Sequence, residues 1–136
     1  MQRFTLQVDT DGNNDTINLH PELTARLRDV KGMGLMHLFV VGSTAALTTL
    51  EYETGLIKHD LPNMLQRLMP DDARYEHEAT WNDDNGHSHI RAAMIGPSLT
   101  VPFDNGRLLT GEYQQVVLID FDTRPRRRTV IVTIAM

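Results

Sequence analysis

An α+β fold, β-sandwich-like with a largely antiparallel sheet and two or three inserted helices, is what this sequence predicts. Three observations carry that expectation. Segments with period-two alternation recur along the chain, at residues 2–9, 45–52, 99–103 and 129–136, and that period turns one strand face toward a core. Asp104-Asn105-Gly106 supplies a hairpin-type turn between two of the extended segments, because Asn-Gly tolerates positive backbone angles. Helical spacing interrupts the strands in only a few places instead of following each one, which is the α+β pattern.

In chain order, residues 2–9 set Phe4, Leu6 and Val8 against Arg3, Thr5, Gln7 and Asp9, the signature of a half-buried strand. Asp11 to Asp15 is a turn cluster, with a short strand through Ile17 and Leu19 expected after it. Pro21-Glu22 opens a helix whose apolar stripe is Leu23, Leu27 and Val30, with Gly32 as its stop. Leu35 to Val41 reads as a buried strand, with His37 inside it as a core or interface residue. Residues 45–52 alternate again and carry Glu51 near their end. From Gly55 to Met69 the spacing is helical, but Pro62 disfavours a regular helix through its preceding turn. An irregular start near Ile57 to His59 and a regular helix from about Leu61 to Met69 are therefore expected, with Asp60 at the helix entrance. A short helix from His89 to Ile95 is stopped by Gly96-Pro97. Strands at 99–103, 116–119 and 129–136 complete the chain, with Asp120 to Arg128 as a turn.

Length and composition restrict function. The 136 residues form one domain, 1–136, large enough for a core without staples. Thirteen basic against eighteen acidic side chains give a net charge of −5, opposite to the basic surplus of a nucleic-acid binder. There is no cysteine, so a disulfide, a thiolate metal site and a cysteine nucleophile are excluded. The start lacks a signal-like apolar region, and no window approaches the ~18 apolar residues that span a bilayer. A cytoplasmic protein with neither nucleic-acid nor membrane partners is the expectation.

The chemistry concentrates in Tyr75 to His89, which holds three of the six histidines and the single tryptophan. Three neutral imidazoles, His77, His87 and His89, with an open water position would suit zinc or a similar divalent ion. The geometry of His87-Ser88-His89 stays open. On a strand both rings share a face, whereas on a helix they diverge by roughly 200°. Exposed or hydrogen-bonded histidines are the alternative. Asn82 to Gly86 lacks the spacing of an EF-hand loop and reads better as a capping loop. No serine sits in a nucleophile elbow, and no phosphate-binding or dinucleotide fingerprint occurs. The run Arg124-Pro125-Arg126-Arg127-Arg128 could fork onto a phosphate, or form a solvated turn or interface ion pairs.

An ordered set of motifs resembles the YjbQ family, small proteins associated with a secondary thiamine-phosphate synthase activity. The motifs are Ser43-Thr44-Ala45-Ala46-Leu47 with Glu51, Tyr75-Glu76-His77, and Asp84-Asn85-Gly86-His87-Ser88-His89-Ile90. After these come Gly96 to Pro102, Gly106-Arg107-Leu108, Gly111-Glu112-Tyr113-Gln114, and Asp122 to Arg128. The resemblance implies a homotrimer with a polar pocket near a subunit interface, containing His77 and His89 and able to bind a divalent metal. It also implies the joining of a thiazole phosphate to a pyrimidine diphosphate, a transferase side activity. Gly42 stands where many members carry histidine, and His87 is expected to substitute for that missing imidazole. The resulting expectation is a metal-assisted enzyme on a small phosphorylated or anionic substrate. His77, His87 and His89 would hold the metal, and Glu51 or Asp60 would act as base. Asn85 would orient, while Ser43, Thr44 and Arg126 or Arg128 would hold substrate. A non-catalytic anion-binding module and a purely structural trimer are the alternatives.

Overall fold

The computed structural model describes residues 1–136. Its elements in chain order are β1 (Gln2–Thr10), β2 (Asp15–Asn18), α1 (His20–Leu27), β3 (Met33–Val41), β4 (Ala45–Glu51), a π-helical turn (Leu56–Asp60), α2 (Leu61–Leu68), α3 (Glu76–Trp81) and α4 (Gly86–Ile95). Four strands follow: β5 (Ser98–Asp104), β6 (Arg107–Leu108), β7 (Gln114–Asp120) and β8 (Arg126–Ala135). They form a five-stranded sheet in the order β1-β8-β3-β5-β6 and a three-stranded sheet in the order β2-β7-β4. Every pairing is antiparallel.

The two sheets face each other across the main core. Leu6, Val8, Met36, Leu38, Val40, Val130 and Val132 of the larger sheet meet Leu47, Val116 and Leu118 of the smaller one, and Leu23 and Leu27 of α1 join them. The smaller sheet is also covered on its outer face. Ala46, Val117 and Ile119 pack there with Leu65 of α2 and Ala92 of α4. Burial on both faces explains why β7 reads as an unbroken apolar run.

The α+β, sandwich-like expectation holds, and its details sharpen. Pro62 does exclude a regular start, since the chain enters α2 through the π turn. Asn105 and Gly106 take positive φ, as the hairpin requires. Four local expectations change. Helix α4 starts at Gly86, three residues before the expected His89. β3 is half-buried, not buried: Met36, Leu38 and Val40 point inward, while Leu35, His37, Phe39 and Val41 are exposed on the larger sheet's uncovered face. The polar stretch contains a helix of its own, α3, which raises the number of helices to four. Finally, β8 begins at Arg126, so the basic run is partly strand, not turn.

Candidate functional site

Where α3 and α4 meet, backbone geometry selects the residues. Asn82 takes a left-handed conformation and closes α3, a role asparagine tolerates. Gly86 opens α4, its N–H donating to Glu78 Oε1 at 2.9 Å. A Cβ at Gly86 would stand 2.5 Å from the Tyr75 Cβ, so only glycine lets the two helices approach. This approach sets the His77 and His89 rings 4.4 Å apart between centroids.

His87 does not join them. It lies on α4, the geometry in which residues two apart diverge. Its ring is buried near Tyr75, with centroids 6.3 Å apart, and its Nδ1 has no hydrogen-bond partner. Burial, followed by the nearby Arg91 charge, lowers its pKa. The pKa of His89 is lowered by burial and then by His77, leaving a neutral ring at neutral pH. No group of three or more His, Asp and Glu side chains comes together in metal-holding geometry. The three-imidazole set is thus not assembled, because the helix turns His87 away.

A different set gathers around His77. Its Nε2 lies 3.3 Å from Asp83 Oδ1. The buried Asn85 amide sits between two carboxylates. In one orientation its Nδ2 donates to Asp122 Oδ1 at 3.3 Å. In that orientation its oxygen lies 3.1 and 3.2 Å from the Asp83 oxygens and 3.1 Å from His77 Nε2; the reverse orientation makes these contacts donations from the amide nitrogen. A single amide cannot donate from one nitrogen to both sides, so one carboxylate always faces a carbonyl oxygen.

Behind Asn85 the polar groups are closely matched. Asp122 accepts from Thr44 Oγ1 at 2.9 Å, Arg126 Nε at 3.0 Å and the Thr123 N–H at 2.8 Å. Burial alone would raise its carboxyl, but the hydrogen bonds from Thr123, Thr44, Arg126 and Asn85 outweigh this and hold it at about 2. Asp120, fully buried, takes a bidentate grip from Arg128, Nε to Oδ2 at 2.7 Å and Nη2 to Oδ1 at 2.8 Å. Thr10 donates to the same carboxylate at 2.6 Å. Arg126 and Arg128, two apart on β8, point the same way, and Arg127 points out toward Asp9. Arg128 Nη2 also donates to Thr44 Oγ1 at 2.6 Å.

Other expected residues lie elsewhere. Glu51 is exposed at the end of β4, in a shallow hollow with Tyr52, Glu112 and Tyr113. Asp60 is exposed beside His59, its Oδ1 2.8 Å from Nδ1. The structure brings neither carboxylate to the imidazoles. Ser43 is exposed and, with Gly42 and His89, borders a hollow of about 480 Å³ whose other walls are mainly Phe39, Ala45, Ile90, Ala93 and Pro97. A second hollow of about 500 Å³ lies on the Asp83 side, among Asp71, Asp72, Glu78 and Asp84. Sequence reasoning passed over Asp83, Asp120 and Asp122 as partners. The only available signal was their adjacency to the histidine and arginine motifs.

Comparison with known proteins agrees with the motif order. The family model described as UPF0047 protein YjbQ-like matches residues 4–136. The UPF0047 protein YjbQ of Escherichia coli O157:H7 is 33% identical over 115 residues, 83% of each chain. The UPF0047 protein Rv2556c of Mycobacterium tuberculosis H37Rv is 38% identical over 97 residues, 71% of each chain. Among solved structures, the protein APE1520 of Aeropyrum pernix K1 superposes with a TM-score of 0.88 at 26% identity, covering 99% of this chain and 98% of that one. A YjbQ/UPF0047 family protein from Clostridium acetobutylicum gives 0.85 at 25% identity, with 97% and 99% covered. No helix is long and apolar enough to cross a membrane.

Proposed function

This chain belongs to the YjbQ-like UPF0047 family, and on that premise we propose that it is a cation-assisted enzyme acting on a small phosphorylated substrate. One observation carries the reading: His77 Nε2, the Asp83 carboxylate and the Asn85 side-chain amide converge at separations of 3.1 to 3.3 Å, and it is the amide oxygen that faces them in the orientation that keeps the Asp122 hydrogen bond. Ligands bound at about 2.0–2.1 Å in a tetrahedral shell keep about 3.3–3.4 Å between them, so the donor set fits a small divalent ion such as zinc. A cation would also reconcile the Asn85 amide with both of its carboxylates at once. Such an ion, when bound, would polarise a phosphoryl oxygen or activate a water.

The remaining roles fall to the chain itself. His89, uncharged and on the wall of the apolar hollow, accepts a proton from a substrate held there. Asp122, kept ionised, fixes the Asn85 amide through its hydrogen bond. Joining a thiazole phosphate to a pyrimidine diphosphate would be a side reaction of such a site.

Titration of purified, chelator-stripped protein with zinc tests the reading. His77→Ala and Asn85→Leu are each expected to weaken binding about 100-fold, the scale seen when a ligand or its support is lost. Zinc binding of the same strength in both variants would end the cation reading. It would leave a His77–Asp83 hydrogen-bonded pair with the amide turned toward it.

A second observation favours assembly. Met33 (75% exposed), Leu35 (49%), Phe39 (41%) and Val41 (49%) line the uncovered face of the larger sheet, a mainly apolar strip, interrupted by the exposed His37, of the kind that marks an interface. We read it as the contact face of the homotrimer. Light scattering should then give a three-chain particle that Leu35→Glu dissociates, and a monomeric wild-type protein would refute it.

A further inference from the structure

We infer that the hollow beside His89 is a subsite for an anionic group carried on an apolar body, and that Arg128 Nη1 receives the anion through the gap that Gly42 leaves. The inference rests on the functional reading above and names the substrate class of the same site.

Arg128 has a side chain only 8% exposed. Its Nε and Nη2 are committed to Asp120 and Thr44. Nη1 makes no hydrogen bond to the protein, and it reaches the surface, since the one buried side-chain nitrogen or oxygen left without a partner is His87 Nδ1. Arg128 Nη1 lies 2.7 Å from the point where a Gly42 Cβ would stand. Apart from the guanidinium, no atom beyond the adjoining residues comes within 4 Å of that point. Any side chain at residue 42 would cover Nη1, so glycine is what keeps it reachable. Gly42 holds φ +135°, a conformation L side chains rarely adopt.

Gly42 and the exposed Ser43 form one end of the hollow, while Phe39, Ala45, Ile90, Ala93 and Pro97 make most of its wall. The combination is a hydroxyl at one end, a guanidinium N–H behind Gly42 that is not itself part of the wall, and apolar surface over most of the rest. It suits a ligand with a charged head and a hydrocarbon or ring body, not a bare ion. The hollow on the other side of α3 cannot serve the same ligand. Against one cation, Arg74, it sets the carboxylates Asp71, Asp72, Glu78, Asp83 and Asp84, a balance that repels an anion.

Calorimetric titration with phenyl phosphate, inorganic phosphate and benzyl alcohol, in the presence of EDTA, tests this. EDTA keeps the result independent of the cation, so failure here is distinct from failure of the zinc titration. Phenyl phosphate should bind at least about tenfold more tightly than either other probe, since only it can use both halves of the subsite. Ala93→Phe, at an exposed helical residue, should fill the hollow and weaken phenyl phosphate about tenfold with an unchanged melting temperature. Gly42→Ala should weaken both phosphate probes. Equal binding of phenyl phosphate and inorganic phosphate, or of phenyl phosphate and benzyl alcohol, would overturn the inference. So would a folded Ala93→Phe protein that binds phenyl phosphate as the wild type does.

Discussion

Two polar clusters lie on either side of Asn85, and they are built on opposite principles. On the β7–β8 side, Asp120 and Asp122 are answered donor by donor: Arg128, Arg126, Thr10, Thr44 and the Thr123 N–H each meet a carboxylate oxygen. On the α3–α4 side, His77, Asp83 and Asn85 crowd acceptors together in the amide orientation that keeps the Asn85–Asp122 hydrogen bond, and are satisfied only when the amide turns the other way. In the first cluster both carboxylates are buried, Asp120 at 0% and Asp122 at 1%, with Arg126 reaching out to solvent. The second is part-exposed, with His77 and Asp83 at 28% and 27%. Matched buried networks fix a structure, and mismatched ones mark where something else is meant to bind. The arginine motif, which in sequence reads as either a phosphate fork or a solvated turn with ion pairs, is tied at Arg126 and Arg128 to Asp122 and Asp120. Within its buried part, Arg128 Nη1 is left without a protein partner, while Arg124 and Arg127 are exposed.

That contrast can be broken most severely at Asp120. Asp120→Asn leaves the buried Arg128 without its bidentate partner, and the expected loss is about 3 kcal/mol, read from urea unfolding. Asp122 lies 3.8 Å from Arg128 Nη2 and prevents a larger loss. Unchanged stability would mean that the cluster is not closed in solution.

Acid should expose the next level. The Asp122 carboxyl is drawn from 3.8 to about 2 on folding. Its folded pKa is the lower one, so its contribution is fully present above about pH 4 and is lost as pH falls toward 2. It amounts to about 2 kcal/mol. Asp122→Asn should be less stable than wild type at pH 7, with the difference narrowing through that window. A constant difference would mean that the carboxylate is not held ionised by its donors.

The smallest effect belongs to the open cluster. His77→Ala should change unfolding free energy in EDTA by less than about 1 kcal/mol, because no matched network is broken. A loss as large as that of Asp120→Asn would erase the distinction between the two sides and turn His77 into a structural residue.

Much of this was legible in the residues. Alternation at Phe4, Leu6 and Val8 marks β1 because only period two can bury one face of a strand. Pro62 marks the irregular entry to α2 because it lacks an N–H. Asn105-Gly106 marks a turn because both can take positive φ. His77 and His89 were legible as a pair through the motif order. What escaped were the partners. Nothing within the stretch itself distinguishes the matched Asp122 from the exposed Asp60, or shows that His87 will be buried with an unpartnered Nδ1.

The sequence by itself determined the strands, their turns, the family and the place of the histidine-rich segment, because these depend on local periodicity and ordered motifs. Tertiary structure alone decided which polar groups meet. Starting α4 at Gly86 separated His87 from His89, and starting β8 at Arg126 delivered Arg128 to Asp120. The approach of α3 to α4 set Asn85 between two carboxylates. These outcomes depend on where elements begin and how closely they pack, and a shift of one residue would redirect every side chain involved. The physical reason is that hydrogen-bond matching acts over about 3 Å in space, while sequence pattern reports only on neighbours along the chain.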